Sequence, residues 1–178
     1  LFLVLGVLLA AAELVIHRQY ADMSEQLDNR IDRLNVLQDT ERAFLESVSY
    51  LRAYAAYGRE DLQEQASASR AQYEGLLGKL NAADGQVSNL DSLTGLNNRF
   101  ESYYTEALRL IVAGDDQAVA SLSQTEGSAL VRQMEAEFAG LVEQQRGLIL
   151  EQTERSRMLA RLVLIVPIVA LVAALLTA

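Results

Sequence analysis

Residues 115–158 read DDQAVASLSQTEGSALVRQMEAEFAGLVEQQRGLILEQTERSRM, and the repeat in this stretch decides the fold. Apolar side chains recur at Val119, Leu122, Leu130, Met134, Phe138, Leu141 and Leu148, mostly at steps that return to one helical face. Asp115 and Asp116 open the run, where negative charge favours a helix N-terminus. The spacing predicts one unbroken helix over Asp115–Met158, about 66 Å long, passing straight into the apolar segment beyond.

Upstream, the same period holds. Tyr20, Leu27, Ile31, Leu34, Phe44, Val48, Leu51 and Ala55 mark a helix over Arg18–Tyr57, about 60 Å long. Gly58 follows as its left-handed cap. Leu62, Ala66, Tyr73, Leu76 and Leu80 mark a second helix over Glu60–Ala83, which closes on the turn-forming stretch Asn81–Gly85. Leu90, Leu93, Phe100, Tyr104, Leu108 and Ile111 mark a third over Gln86–Ala113, ended by Gly114. The two shorter helices measure about 36 and 42 Å. Short connections make neighbours antiparallel. The expected fold class is therefore all-α, an antiparallel up-down-up-down four-helix bundle. Gly58 and Gly114 stand 56 residues apart, a spacing that suggests two related hairpins.

The apolar ends add a second expectation. Leu1–Ile16 and Leu162–Ala178 cover about 24 and 26 Å as helices, just under a hydrocarbon core of about 30 Å. They are read as transmembrane helices over residues 1–17 and 159–178, the first truncated and the second left open on that point, flanking the bundle over 18–158. A cleaved signal peptide over residues 1–12 is the other reading of the first segment. Pro167 lacks an N–H and is expected to bend the second span. Charge on the flanks leaves open which side of the membrane 18–158 occupies.

Composition narrows the chemistry. The 178 residues contain no Cys, no Trp and one His, with 15 basic against 24 acidic side chains for a net charge of −9. That excludes zinc clusters and His–Cys nucleophile pairs and argues against nucleic acid. The scattered carboxylates read as a solvated face, so no metal, cofactor or enzymatic activity is expected. Asp91–Arg99, DSLTGLNNR, resembles the opening of diguanylate cyclase catalytic domains, but no Gly-Gly-(Asp/Glu)-Glu-Phe run or strand follows it.

Arg42, Arg52, Arg99, Arg109 and Arg132 could grip an anion in a bundle groove, though a surface Arg is the simpler reading. Tyr50, Tyr54, Tyr57, Tyr103 and Tyr104 gather toward the distal halves of the first and third helices and could line a cleft. Arg52 and Tyr54 are the ligand-binding candidates. Toward the membrane-proximal ends the apolar stripes narrow to a coiled-coil seam, Tyr20–Leu34 against Leu141, Gln145, Leu148 and Gln152. Gln145 and Gln152 would set register at a cost in stability. A seam this narrow predicts a parallel homodimer of joint stalks.

Phe100, Tyr103-Tyr104, Gly114-Asp115, Ala118 and Ala120, with Arg52-Ala53-Tyr54 followed by Gly58, resemble the four-helix-bundle sensor domains of methyl-accepting chemotaxis receptors and the related CHASE-type helical sensors. The resemblance implies a multi-pass protein of the bacterial inner membrane with 18–158 periplasmic, a sensor that relays a periplasmic signal through its fourth helix to a cytoplasmic output module. Its partners would be the bilayer, a second copy, a small-molecule or periplasmic protein ligand, and cytoplasmic signalling proteins. The competing reading is a passive dimerising spacer or protein-interaction bundle of a histidine kinase or diguanylate cyclase, without a small ligand.

Overall fold

A computed structural model describes residues 2–82 and 90–176. Its helices are α1 (Phe2–Tyr57), α2 (Glu60–Ala82), α3 (Leu90–Ala113), α4 (Asp116–Leu122) and α5 (Ser128–Leu176), with a π-helical segment, Ser123–Gly127, between the last two. No strand occurs among the described residues, as the period predicts.

The chain divides into two packed units, Arg33–Gln144 and Leu1–Asp32 with Gln145–Ala178. In the first, α1, α2, α3 and α5 surround one core centred on Phe44, which is fully buried. Its ring lies 4.9 Å from that of Phe100, 5.6 Å from Tyr73 and 6.0 Å from Phe138. Each of the four helices therefore supplies one ring to a single aromatic layer. Such rings add edge and tilt attractions to their burial. Thr40, also fully buried, donates to the Val36 carbonyl at 2.6 Å, so its hydroxyl costs the core little.

Local chemistry sets the helix ends. Gly58 and Gly114 take φ of 62° and 70°, the left-handed conformation that a Cβ disfavours. At Gly114 the chain closes a Schellman turn: Asp115 N–H reaches the Leu110 carbonyl at 3.1 Å, and Gly114 N–H reaches Ile111 at 3.0 Å. Asp115 then caps α4, its carboxylate accepting from Ala118 N–H at 3.0 Å. The expected turn over Asn81–Gly85 and the expected helix start at Gln86 fall largely outside the described residues.

In the second unit, α1 packs on α5 through the seam that the narrow stripes predict. Gln145 and Gln152 are both buried there. Gln152 Nε2 donates to the Met23 carbonyl at 3.1 Å and to Gln26 Oε1 at 3.4 Å, which satisfies this seam polar group.

Two expectations are corrected. Among the described residues no helix is long and apolar enough to cross a membrane. That overturns the two flanking transmembrane helices expected over 1–17 and 159–178, and with them the multi-pass inner-membrane placement. The physical reason is length and charge: spanning takes about 20 consecutive apolar residues. Glu13 interrupts the first segment, and Arg161 borders the second. The fourth helix is also not one unbroken α-helix, because the π segment interrupts it at Ser123–Gly127.

Candidate functional site

The α2–α3 interface carries a polar cluster that apolar periodicity does not announce. Arg70 stands on α2 four residues after buried Ala66 and three before buried Tyr73, so its stem enters the apolar face. Its side chain is only 17% exposed. The guanidinium Nε bonds Glu74 Oε1 at 2.7 Å, and a terminal nitrogen pairs with Glu101 Oε2 on α3. The guanidinium carbon lies 4.2 Å from the centroid of the Tyr104 ring, a cation–π arrangement. One turn away, the Tyr73 hydroxyl donates to Asn97 Oδ1 at 2.7 Å.

Three buried polar atoms lack a hydrogen-bond partner among the described residues: Ser47 Oγ, Glu101 Oε1 and Tyr104 OH. They belong to one level of the bundle. Phe44 and Phe100 touch, α1 and α3 run in the same direction, and Ser47 and Tyr104 each follow those rings by one turn. Glu101 joins the level through Arg70. Ser67 approaches the Tyr104 hydroxyl without completing a bond. Burial pushes the Tyr104 phenol above its ordinary pKa, with Arg70 opposing the rise. Tyr73 is pushed further by burial, and the Glu74 charge adds to it. The level can accept or exchange hydrogen bonds with a small polar group, and it offers no nucleophile–base pair.

A second feature occupies the other side of α3. Tyr103 is buried with its ring against Gly127, and its hydroxyl lies 3.4 Å from Ser123 Oγ. Tyr103 and Tyr104, neighbours in sequence, thus reach the π segment and the polar level respectively.

The residues singled out from sequence are placed as follows. Arg52 is exposed and Tyr54 is buried. Two residues along a helix turn by about 200°, so the pair does not share a face. Arg42 and Arg109 are exposed beside Asp39 and Glu106 of their own helices. Arg99 reaches across to Gln133 Oε1 at 3.1 Å, and Arg132 is exposed. Tyr50 is half-buried and Tyr57 exposed, while Tyr103 and Tyr104 join the core. Sequence reasoning passed over Arg70. The signal was available: a guanidinium at a position of the Ala66–Tyr73–Leu77 repeat where an apolar residue belongs.

The segment resembling a cyclase opening forms the first turns of α3, with Leu93 in the core and Asn97 bonded to Tyr73. Among the described residues no group of three or more His, Cys, Asp or Glu could hold a metal ion. No family model matches this chain, and neither does any curated protein or solved structure.

Proposed function

We propose that this chain is the sensory input module of a bacterial signalling receptor, a non-enzymatic helical bundle that takes up a small polar ligand at the α2–α3 level and passes a packing change to α5. The observation that carries the reading is the set of unpartnered atoms on Ser47, Glu101 and Tyr104. Leaving such groups dry costs about 1–3 kcal/mol each, and a ligand bearing N–H or O–H groups recovers that cost. Binding then favours one packing of α3 over another, which is how a bundle converts occupancy into displacement. The sequence resemblance to chemotaxis-type sensors supports the same reading.

A thermal-shift screen of the whole chain against amino acids, amines, hydroxy acids and nucleosides tests it. A ligand present at a hundred times its Kd stabilises by about 2.7 kcal/mol. Arg70→Ala, which unpins Glu101, abolishes the shift. A midpoint that no compound moves overturns the ligand and leaves the bundle as a dimerising or protein-binding spacer.

A homodimer belongs to this proposal. Nine of the twelve large hydrophobic side chains exposed among the described residues fall in Leu1–Asp32 and Gln145–Ala178, Tyr20, Ile31 and Leu150 among them. Two helices alone cannot cover such a surface, and a second copy of the pair supplies the missing half of a bundle. Single Leu27→Cys and Leu148→Cys variants are expected to form symmetric disulfides, and sedimentation as a monomer refutes the dimer.

A further inference from the structure

Leu122 and Gly127 both face the core of the Arg33–Gln144 unit although they stand five residues apart. Five α-helical residues turn the chain by about 500°, which would leave the two about 140° apart. The π segment closes the gap, with Ser128 N–H bonding the Ser123 carbonyl five residues back. It therefore stores about one residue more than an α-helix would place between the same inward positions. The Ser128 hydroxyl also donates to that carbonyl at 2.8 Å, which stabilises the wide turn.

The lock comes from another helix. A Cβ added at Gly127 would lie 2.6 Å from Tyr103 Cζ and from its hydroxyl oxygen, so ring and backbone fit only because residue 127 is glycine. Tyr103 in turn holds Ser123 through the hydroxyl contact at 3.4 Å. The ring thus presses on both ends of the stored turn.

We infer that Ser123–Gly127 is a register switch latched by Tyr103. With the ring seated, the extra residue is held as a π turn, and Val119 and Leu122 of α4 face the core. With the ring withdrawn, the segment closes into α-helix and α4 turns by one residue, about 100°, relative to the start of α5. Val119 and Leu122 then leave the core, and their lost burial sets the energy gap between the two states. Because Tyr104 lies at the polar level, movement of α3 there also moves the latch. The switch itself requires no ligand, so it stands or falls apart from the sensory reading.

Deletions in the whole chain test the stored residue. Removing Thr125 should leave the bundle folded, its melting midpoint changed by less than about 5 °C. Amides 122–128 should then exchange about tenfold more slowly, as in a regular helix. Removing Ala136, which sits in uninterrupted α-helix, should unfold the bundle, since every later core residue turns by about 100°. Nitroxides on Ala120→Cys and Ser102→Cys read the switch itself. The otherwise unchanged chain should show two distances, one of them the distance that remains after Thr125 deletion, and Tyr103→Ala should move the population toward the other. If Tyr103→Ala does not fold, Gly127→Ala serves instead, because its methyl expels the ring. Collapse on Thr125 deletion overturns the stored residue. A single distance that neither substitution alters overturns the switch.

Discussion

The Arg70 guanidinium lies over the Tyr104 ring, 4.2 Å from its centroid, while its nitrogens hold Glu74 on one side and Glu101 on the other. One cation thus ties α2 to α3 by two contacts at the edge of an apolar core, and a third, to Glu74, stays within α2. Arg70→Ala removes all three and leaves Glu101, whose side chain is 31% exposed, without its counter-charge. The expected loss is about 2–3 kcal/mol, below that of a fully buried pair because water still reaches the carboxylates. Arg70→Lys keeps the charge without the planar fork and should recover less than half of it. Urea denaturation at neutral pH measures both.

Ser47→Ala is expected to act in the opposite direction. The Ser47 hydroxyl is buried and unpartnered, so its removal from the ligand-free protein should raise stability by about 1 kcal/mol. The same substitution should weaken any ligand found by thermal shift. A loss of stability would show that the hydroxyl is paired in solution.

Glycines in different conformations should respond with opposite signs. Gly58 and Gly114 have positive φ, and Ala at either should cost about 1–2 kcal/mol. Gly75, on the exposed side of α2, has nothing within 4 Å of where a Cβ would stand. Gly75→Ala should therefore stabilise by about 0.5–1 kcal/mol through helix propensity and a less flexible unfolded chain. Thermal melts of the three variants suffice.

Stability should also decline in alkali. Burial raises the phenol pKa values of Tyr73 and Tyr104 above the ordinary 10.0. Above that pH the unfolded chain releases protons that the native chain keeps, so unfolding becomes progressively more favourable as pH rises. The contribution is complete below pH 10 and is lost above it, toward the native-state values. Ultraviolet phenolate absorbance should show these two rings ionising only as the bundle unfolds. Tyr73→Phe should flatten the alkaline decline while costing about 1 kcal/mol at neutral pH through the lost bond to Asn97.

The core admits a direct check. Phe44 touches rings from three other helices, so Phe44→Ala should cost about 3–5 kcal/mol. Leu45→Ala, on the neighbouring exposed face, should stay within about 0.5 kcal/mol. Chemical denaturation separates the two.

Much of the fold was legible because its causes are local. Periodicity at Phe44, Val48 and Leu51 named a buried face, and Gly58, Gly114 and Asp115 marked helix ends through φ preference and side-chain capping that act within a few residues. The hydropathy of the two ends misled for a related reason: apolar composition was legible, but the length and freedom from charge that a span demands were not met. The π turn left no trace in the periodicity, because the eight-residue step from Leu122 to Leu130 equals that from Leu130 to Phe138, which regular α-helix spans with both ends buried.

By itself, then, the sequence determined an all-helical chain, its turns at Gly58 and Gly114 and the side of each helix that turns inward, since these follow from backbone sterics and burial along a single segment. Only the tertiary structure decided that Arg70 would be shared between two carboxylates and a ring, and that Arg52 and Tyr54 would part. It also decided that Gly127 would sit beneath Tyr103. Each of these depends on which residue of a distant helix arrives at the same level, and that is fixed by how four helices pack against one another.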